Sequence, residues 1–198
     1  MSRYLLFASL CAASFFGAAC HKDSDPAPEP TPDATYTLDR MVYYPASAES
    51  SGVSYSPLAI TGTALNRGDG LELRFRSGDP AGDHIVFQIE YPKLVPGRVG
   101  KYPLKSVSEA ANPAQATYTL TYGTGQNAFA GRTYQASAYK TTGDLTISTY
   151  DTGRGVISGS YSMKLNELAD PYAELMPTRP VRTCEVVVSG EFANVPVR

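Results

Sequence analysis

The sequence predicts an all-β chain folded as an antiparallel β-sandwich, with a meander closing toward a barrel as the alternative. Three observations predict this. Tyr is abundant at 14 residues and Trp is absent, with Thr, Ser and Gly recurring throughout, a composition suited to pleated, half-buried strands and tight turns. Beyond the first 33 residues the chain falls into short runs of period two, punctuated by Gly, Pro, Asn and Asp, which is how antiparallel strands with one wet face read. No stretch there keeps an apolar period of 3.6 over a helical length.

Taken in order, strands are expected over 35 to 44 and 58 to 65. "GLELRFRSG" places Leu71, Leu73 and Phe75 on an inner face and Glu72, Arg74 and Arg76 on an outer one. "HIVFQIEYP" turns Ile85, Phe87, Ile89 and Tyr91 inward, and "ATYTLTYG" turns Tyr118, Leu120 and Tyr122 inward against threonines. A further strand is expected over 133 to 141. "GDLTISTYDTGRGVISGSYSMKL" reads as a hairpin, with Leu145 and Ile147 inside, a turn over 151 to 155, and Ile157, Tyr161 and Met163 inside on the return. Gly153 and Gly155 suit a turn that needs positive φ. The polar link "NELADPYAELMPTRP" has room for one helical turn before its prolines, and "RTCEVVVSGEF" closes the chain with Cys184, Val186, Val188 and Phe192 inward. That gives about eight to ten strands, a number that packs as a sandwich or closes as a barrel.

The first 33 residues follow other rules. Arg3, the apolar run from Tyr4 to Phe16, and the small residues Gly17, Ala18 and Ala19 form a secretory signal over 1–19. Its apolar run is too short to span a bilayer. Cys20 follows directly, and the junction resembles the lipobox of bacterial lipoproteins, with Gly17 where those leaders carry an aliphatic residue. The resemblance implies that Cys20 becomes the first residue of the mature chain and carries fatty acyl groups such as palmitate. Two or three acyl chains, at about 0.8 kcal/mol per buried CH₂, anchor a protein in a membrane stably. Residues 20–33 hold the cysteine and a tether, with Pro26, Pro28, Pro30 and Pro32 alternating among acids. Such a segment favours polyproline II and spans roughly 40 Å. Residues 34–198 are expected to form a single β domain.

The last third carries a second resemblance. A Gly-x-Leu-x-Ile strand at Gly143, an Ile-Ser-Gly-x-Tyr strand at Ile157 and a terminal Gly-x-Phe strand at Gly190 resemble uncharacterised Gram-negative β-rich lipoproteins of unknown function. The resemblance implies a β-rich surface lipoprotein and brings no catalytic residue with it.

Charge and chemistry narrow the function classes. Seventeen Lys and Arg against 19 Asp and Glu give a net charge of −2, so the chain lacks the basic footprint of a nucleic-acid partner. Of two histidines, His21 lies in the tether and His84 follows Asp83 with no nucleophile elbow nearby, which argues against a Ser-His-Asp hydrolase. Cys184 alternates in phase with Val186 and Val188 and reads as a buried hydrophobe. Glu72, Glu90, Glu185 and Glu191 read as solvated sheet-face residues. The sequence calls for no cofactor and no metal, Asp79 and Asp83 in "SGDPAGDH" being the pair able to offer oxygen ligands to calcium. "NRGDG" contains an Arg-Gly-Asp tripeptide that is also a good hairpin turn. Tyr43, Tyr139 and Tyr150, out of phase with the core, are the candidates for a stacking platform for sugar or peptide.

The expected function is therefore a lipid-anchored lipoprotein of the cell envelope, held at the outer membrane by its N-terminal lipid, with a non-catalytic β domain that binds a protein or glycan or serves the envelope structurally. Two alternatives stand beside it: a barrel that carries a small apolar ligand, and a calcium- or sugar-binding surface module.

Overall fold

The computed structural model describes residues 33–79, 82–125, 128–175 and 182–198. The leader, Cys20 and the tether up to Pro32 lie outside the described residues. Two antiparallel sheets pack face to face and do not close into a barrel, so the chain is a β-sandwich.

The first sheet takes β1 (Thr35–Tyr36), β2 (Leu38–Tyr44), β3 (Glu49–Tyr55), β7 (Gly100–Pro103), β10 (Lys140–Asp151), β11 (Val156–Ala169) and β12 (Thr183–Pro196). Its order is β3-β2-β12-β11-β10-β7, with β1 beside β12. The second sheet runs β4-β5-β6-β8-β9, from β4 (Ile60–Asn66), β5 (Gly70–Ser77), β6 (His84–Glu90), β8 (Ala114–Gly125) and β9 (Ala128–Gln135). All ladder pairs are antiparallel. Two isolated parallel bridges, Ala64 to Val197 and Leu104 to Ala114, tie the sheets at their margins.

The alternation read from the sequence decides which side chains meet between the sheets. Leu71, Leu73 and Phe75, then Ile85, Phe87 and Ile89, then Tyr118 and Leu120 are all buried, and Leu145, Ile147, Tyr161, Met163, Val186, Val188 and Phe192 face them. Phe75 is the hub: its ring centroid lies 5.2 Å from Tyr161, 5.0 Å from Phe192, 6.5 Å from Phe87 and 6.2 Å from Tyr36.

The glycines of the C-terminal motif acquire a physical reason. Gly159 pairs with Phe192, and Gly190 pairs with Tyr161, across β11 and β12. A Cβ on Gly190 would run into Thr37 O and the Tyr161 ring, and one on Gly159 would run into Thr146 O and the Phe192 ring. Each aromatic ring lies over the bare backbone of the neighbouring strand.

Several expectations are corrected. Tyr91 is 41% exposed, because the strand ends at Glu90 and residues 91–93 form a 3₁₀ turn containing Pro92. Residues 133 to 141 are not one strand: β9 ends at Gln135, a 3₁₀ turn covers Ala136–Ala138, and β10 starts at Lys140. The strand expected from 58 begins at Ile60, after a turn that starts at Pro57. Positive φ in the β10–β11 turn belongs to Gly155 and not to Gly153. Strands β3 and β7 were not anticipated. Glu72 is 2% exposed and not on a wet face. Its carboxylate accepts from Arg67 at 2.8 Å, from Gln88 at 2.9 Å and from Arg74. The one helical turn expected in the polar link is present as the 3₁₀ turn Ala173–Leu175.

The Glu72 cluster sets a pH dependence. Burial acts to raise its pKa, but the donors from Arg67, Gln88 and Arg74 outweigh burial and hold it at about 2, against an unfolded value near 4.3. A carboxylate with a depressed folded pKa contributes stability that is complete above about pH 5 and is lost as pH falls toward 2. Arg67 and Arg74 are nearly half exposed, so solvent screening leaves roughly 1 to 2 kcal/mol. Urea midpoints for wild type and Glu72→Gln should therefore differ at pH 7 and converge near pH 2. A gap that persists unchanged at pH 2 would show that packing, and not charge, is what the variant loses.

Candidate functional site: a tyrosine-lined cleft over a buried ion pair

Strand β2 buries Leu38, Arg40, Val42 and Tyr44 on its inner face. Period two therefore drives a guanidinium into the space between the sheets, at 6% exposure. The loop before β6 meets it with Asp83, which is fully buried. Arg40 Nη1 donates to both carboxylate oxygens, at 2.9 and 3.0 Å. Tyr118 Oη donates to Oδ2 at 2.8 Å and the Thr121 N–H donates to Oδ1 at 2.9 Å. The Asp83 N–H donates to Tyr55 Oη at 3.1 Å. One residue, Asp83, thus ties β2 and β3 of the first sheet to β8 of the second. Burial pushes the Asp83 carboxyl up, opposed by Arg40, the Thr121 N–H and Tyr118. Burial and the Asp83 charge together push the Tyr118 hydroxyl far up.

A second knot forms where the polar link leaves β11. Asp170 Oδ1 accepts from Tyr44 Oη and from the Tyr172 N–H, each at 2.9 Å. Arg182 Nη2 reaches Oδ2 at 3.2 Å, and Nη1 reaches Glu49 at 2.6 Å. The Arg182 guanidinium also lies 3.9 Å above the Tyr44 ring, a cation–π contact. Burial and the bond to Asp170 push the Tyr44 hydroxyl well up.

Between the two knots opens a cleft of about 690 Å³. One wall is the inner face of β3, the other the end of β8, and the link carrying Asp170 and Tyr172 closes one side. Tyr44, Tyr55, Tyr122 and Tyr172 line it, with Arg40 and Arg182. The Arg40 Nε is buried and has no acceptor among the described residues. A buried donor left unpaired is costly, so the group calls for a partner such as a water or a ligand atom.

The residues singled out from sequence are distributed differently. Asp79 sits exposed at the cleft rim, whereas Asp83 turns inward to Arg40, so the two acids of that loop serve different environments. Among the described residues no group of three His, Cys, Asp or Glu side chains comes together. Tyr43, Tyr139 and Tyr150 are half-buried on separate elements. Tyr139 packs edge-on against Tyr134 at 5.6 Å, and Tyr150 lies under the Arg98 guanidinium at 4.6 Å. The Arg-Gly-Asp tripeptide is fastened down, Arg67 to Glu72 and the Asp69 carbonyl to the Tyr91 N–H. What the sequence reading missed is Arg40, Tyr44 and Tyr172. The available signal was that Arg40 and Tyr44 alternate in phase with Leu38 and Val42.

Cys184 lies at 1% exposure beneath this end of the sandwich. Burial, with the Asp170 charge adding, pushes its thiol up to about 11. It should label slowly with thiol reagents in the native protein at pH 7, and Cys184→Ser should cost about 1 to 3 kcal/mol by placing a hydroxyl in an apolar site. Labelling as fast as a free thiol would overturn the core placement.

No family model, no curated protein and no solved structure matches this chain.

Proposed function

We propose that the chain is a lipid-anchored cell-envelope lipoprotein whose β-sandwich is a non-catalytic binding module, with the tyrosine-lined cleft as its ligand site. The observation that carries the binding half is the cleft itself: an open, amphipathic recess lined by four tyrosines and two arginines, one of which, Arg40, keeps a buried Nε without an acceptor among the described residues. Its acids argue for binding rather than catalysis, since Asp83 and Asp170 are each held by an arginine and by tyrosine hydroxyls. The filled aromatic interior supports a rim site over a carrier for a small apolar ligand. The anchoring half rests on Cys20 after Gly17-Ala18-Ala19, and on the proline spacer that would hold the cleft away from the lipid.

Two measurements on one preparation test both halves. Cells fed labelled palmitate should incorporate it into the wild-type chain and not into Cys20→Ser, which should leave the membrane fraction or retain its leader. Hydroxyl-radical footprinting should show Tyr55 and Tyr172 protected in whole envelopes relative to purified protein. Equal modification in the two settings would sink the cleft as a binding site, and a soluble wild type would sink the anchor.

A further inference from the structure

The two sheets have four outer strands, and they are treated differently. Strand β4 is capped by the chain's own end: the Arg198 N–H donates to Ala64 O at 2.9 Å and the Asn66 N–H donates to Arg198 O at 2.7 Å. Strand β9 is crossed by the polar link, with Arg132 Nε on Pro171 O at 3.2 Å and Nη2 on Glu174 at 2.7 Å. Strand β7 has four residues, among them Lys101 and Pro103. Short length, lysine and proline are the usual means of blunting an edge. Strand β3 has none of these. It runs seven residues, E-S-S-G-V-S-Y, with no lysine, arginine or proline, and every one of them is exposed or half-exposed. It pairs with β2 along its full length, and its other flank has no strand among the described residues.

The opposite wall of the cleft is also a sheet margin. Strand β6 pairs with β8 only as far as Thr119, so among the described residues the end of β8 has a ladder partner, β9, on one side alone. The Thr121 N–H on that flank turns to the Asp83 carboxylate. Alternate residues of a strand present their N–H groups to the same flank, so Gly123 looks the same way, and a Cβ there would meet nothing within 4 Å. A margin of each sheet thus borders one recess. The tyrosine rings are less available: Arg182 covers the Tyr44 face, and Tyr122 and Tyr172 are set edge-to-face at 5.2 Å. That arrangement favours a ligand read by its backbone over one stacked on rings. Among the described residues, the charge at the cleft and just beneath it is two arginines, Arg40 and Arg182, against four carboxylates, Glu49, Asp79, Asp83 and Asp170.

We infer that the cleft takes an extended, basic peptide segment of a partner protein, added to the free edge of β3 as a further antiparallel strand with its lysine or arginine side chains directed toward the acidic recess. The inference rests on the reading of this cleft as the ligand site. Main-chain hydrogen bonds to an edge supply the affinity in such complexes, and alternate side chains supply the selectivity.

The test is an NMR titration of the isotope-labelled full chain with a blocked octapeptide of alternating Lys and Thr. Shifts should concentrate at 49–55 and 121–123. The Glu-Thr counterpart, and Ser51→Arg at an exposed cleft position, should each weaken binding by about tenfold or more, in proportion to the lost charge complementarity. Of two Lys-Thr peptides N-methylated on opposite alternate residues, one should keep its affinity and the other lose it, because an added strand pairs along a single edge. Absence of shifts at β3, or equal tolerance of both methylated forms, overturns the added strand. Neutral and acidic oligosaccharides run in the same titration separate the levels. Shifts at Tyr122 and Tyr172 from a saccharide with none from the peptide overturn this inference and keep the cleft as a binding site. Silence from both classes, with unprotected tyrosines in the envelope, removes the cleft reading as well.

Discussion

Asp83→Ala is expected to destabilise the domain by about 3 to 5 kcal/mol, the usual cost of leaving a buried charge without its partner. The size follows from what the substitution strands: the Arg40 guanidinium at 6% exposure, the Tyr118 hydroxyl and the Thr121 N–H, all of which donate to this one carboxylate. Arg40→Ala should be similarly damaging, because it leaves the carboxylate behind. The double variant Arg40→Met with Asp83→Leu should recover much of the loss, since an apolar pair carries no desolvation penalty. Urea unfolding of wild type, Arg40→Met, Asp83→Leu and their combination forms a double-mutant cycle that reads the coupling directly. Additive losses in the double variant would mean that the ion pair is not what joins the sheets at this end.

Phe75→Ala should cost about 3 to 5 kcal/mol through the cavity it leaves. Its ring is fully buried and touches aromatic neighbours from both sheets, so no single element can move to fill the space. Phe129→Ala is the control. Phe129 is 47% exposed on β9, and surface replacements of that kind fall within about 0.5 kcal/mol. Thermal melts that moved equally for both would contradict the placement of the core.

Most of the fold was readable because the hydrophobic faces repeat with period two where both sheets pack. The repeat even shows its interruptions. The inward set skips from Leu165 to Leu168 and from Phe192 to Val195, and the ladder shifts register at both places, with Glu167 and Asn194 in the left-handed region at φ 57° and 54°. Strand β3 escaped notice because an edge strand with a wet face on each side needs no apolar alternation; only Val53 and Tyr55 hint at it. The cleft was harder still. A charged residue in phase with Leu38 and Val42 reads as an exception to the pattern, and its partner Asp83 stands 43 residues away, in a loop whose Gly and Pro read only as a turn. Pairings at that distance are fixed by the way the sheets stack, which no local period contains.

The position of β12 bears on how such a chain is made. Residues Thr183–Pro196 lie between β2 and β11 in the first sheet, so the hairpin of β2 and β3, among the earliest segments of the domain to be synthesised, has no native neighbour in that sheet until β12 arrives. A nascent chain cannot complete that sheet before residues 183–196 have left the ribosome. The second sheet lies between these segments in sequence and can pair on its own, but its inner face stays uncovered until then. The topology therefore delays completion of the first sheet until β12 has emerged, and truncation before Thr183 should leave the β2–β3 hairpin with no strand to join it to β11 and β10.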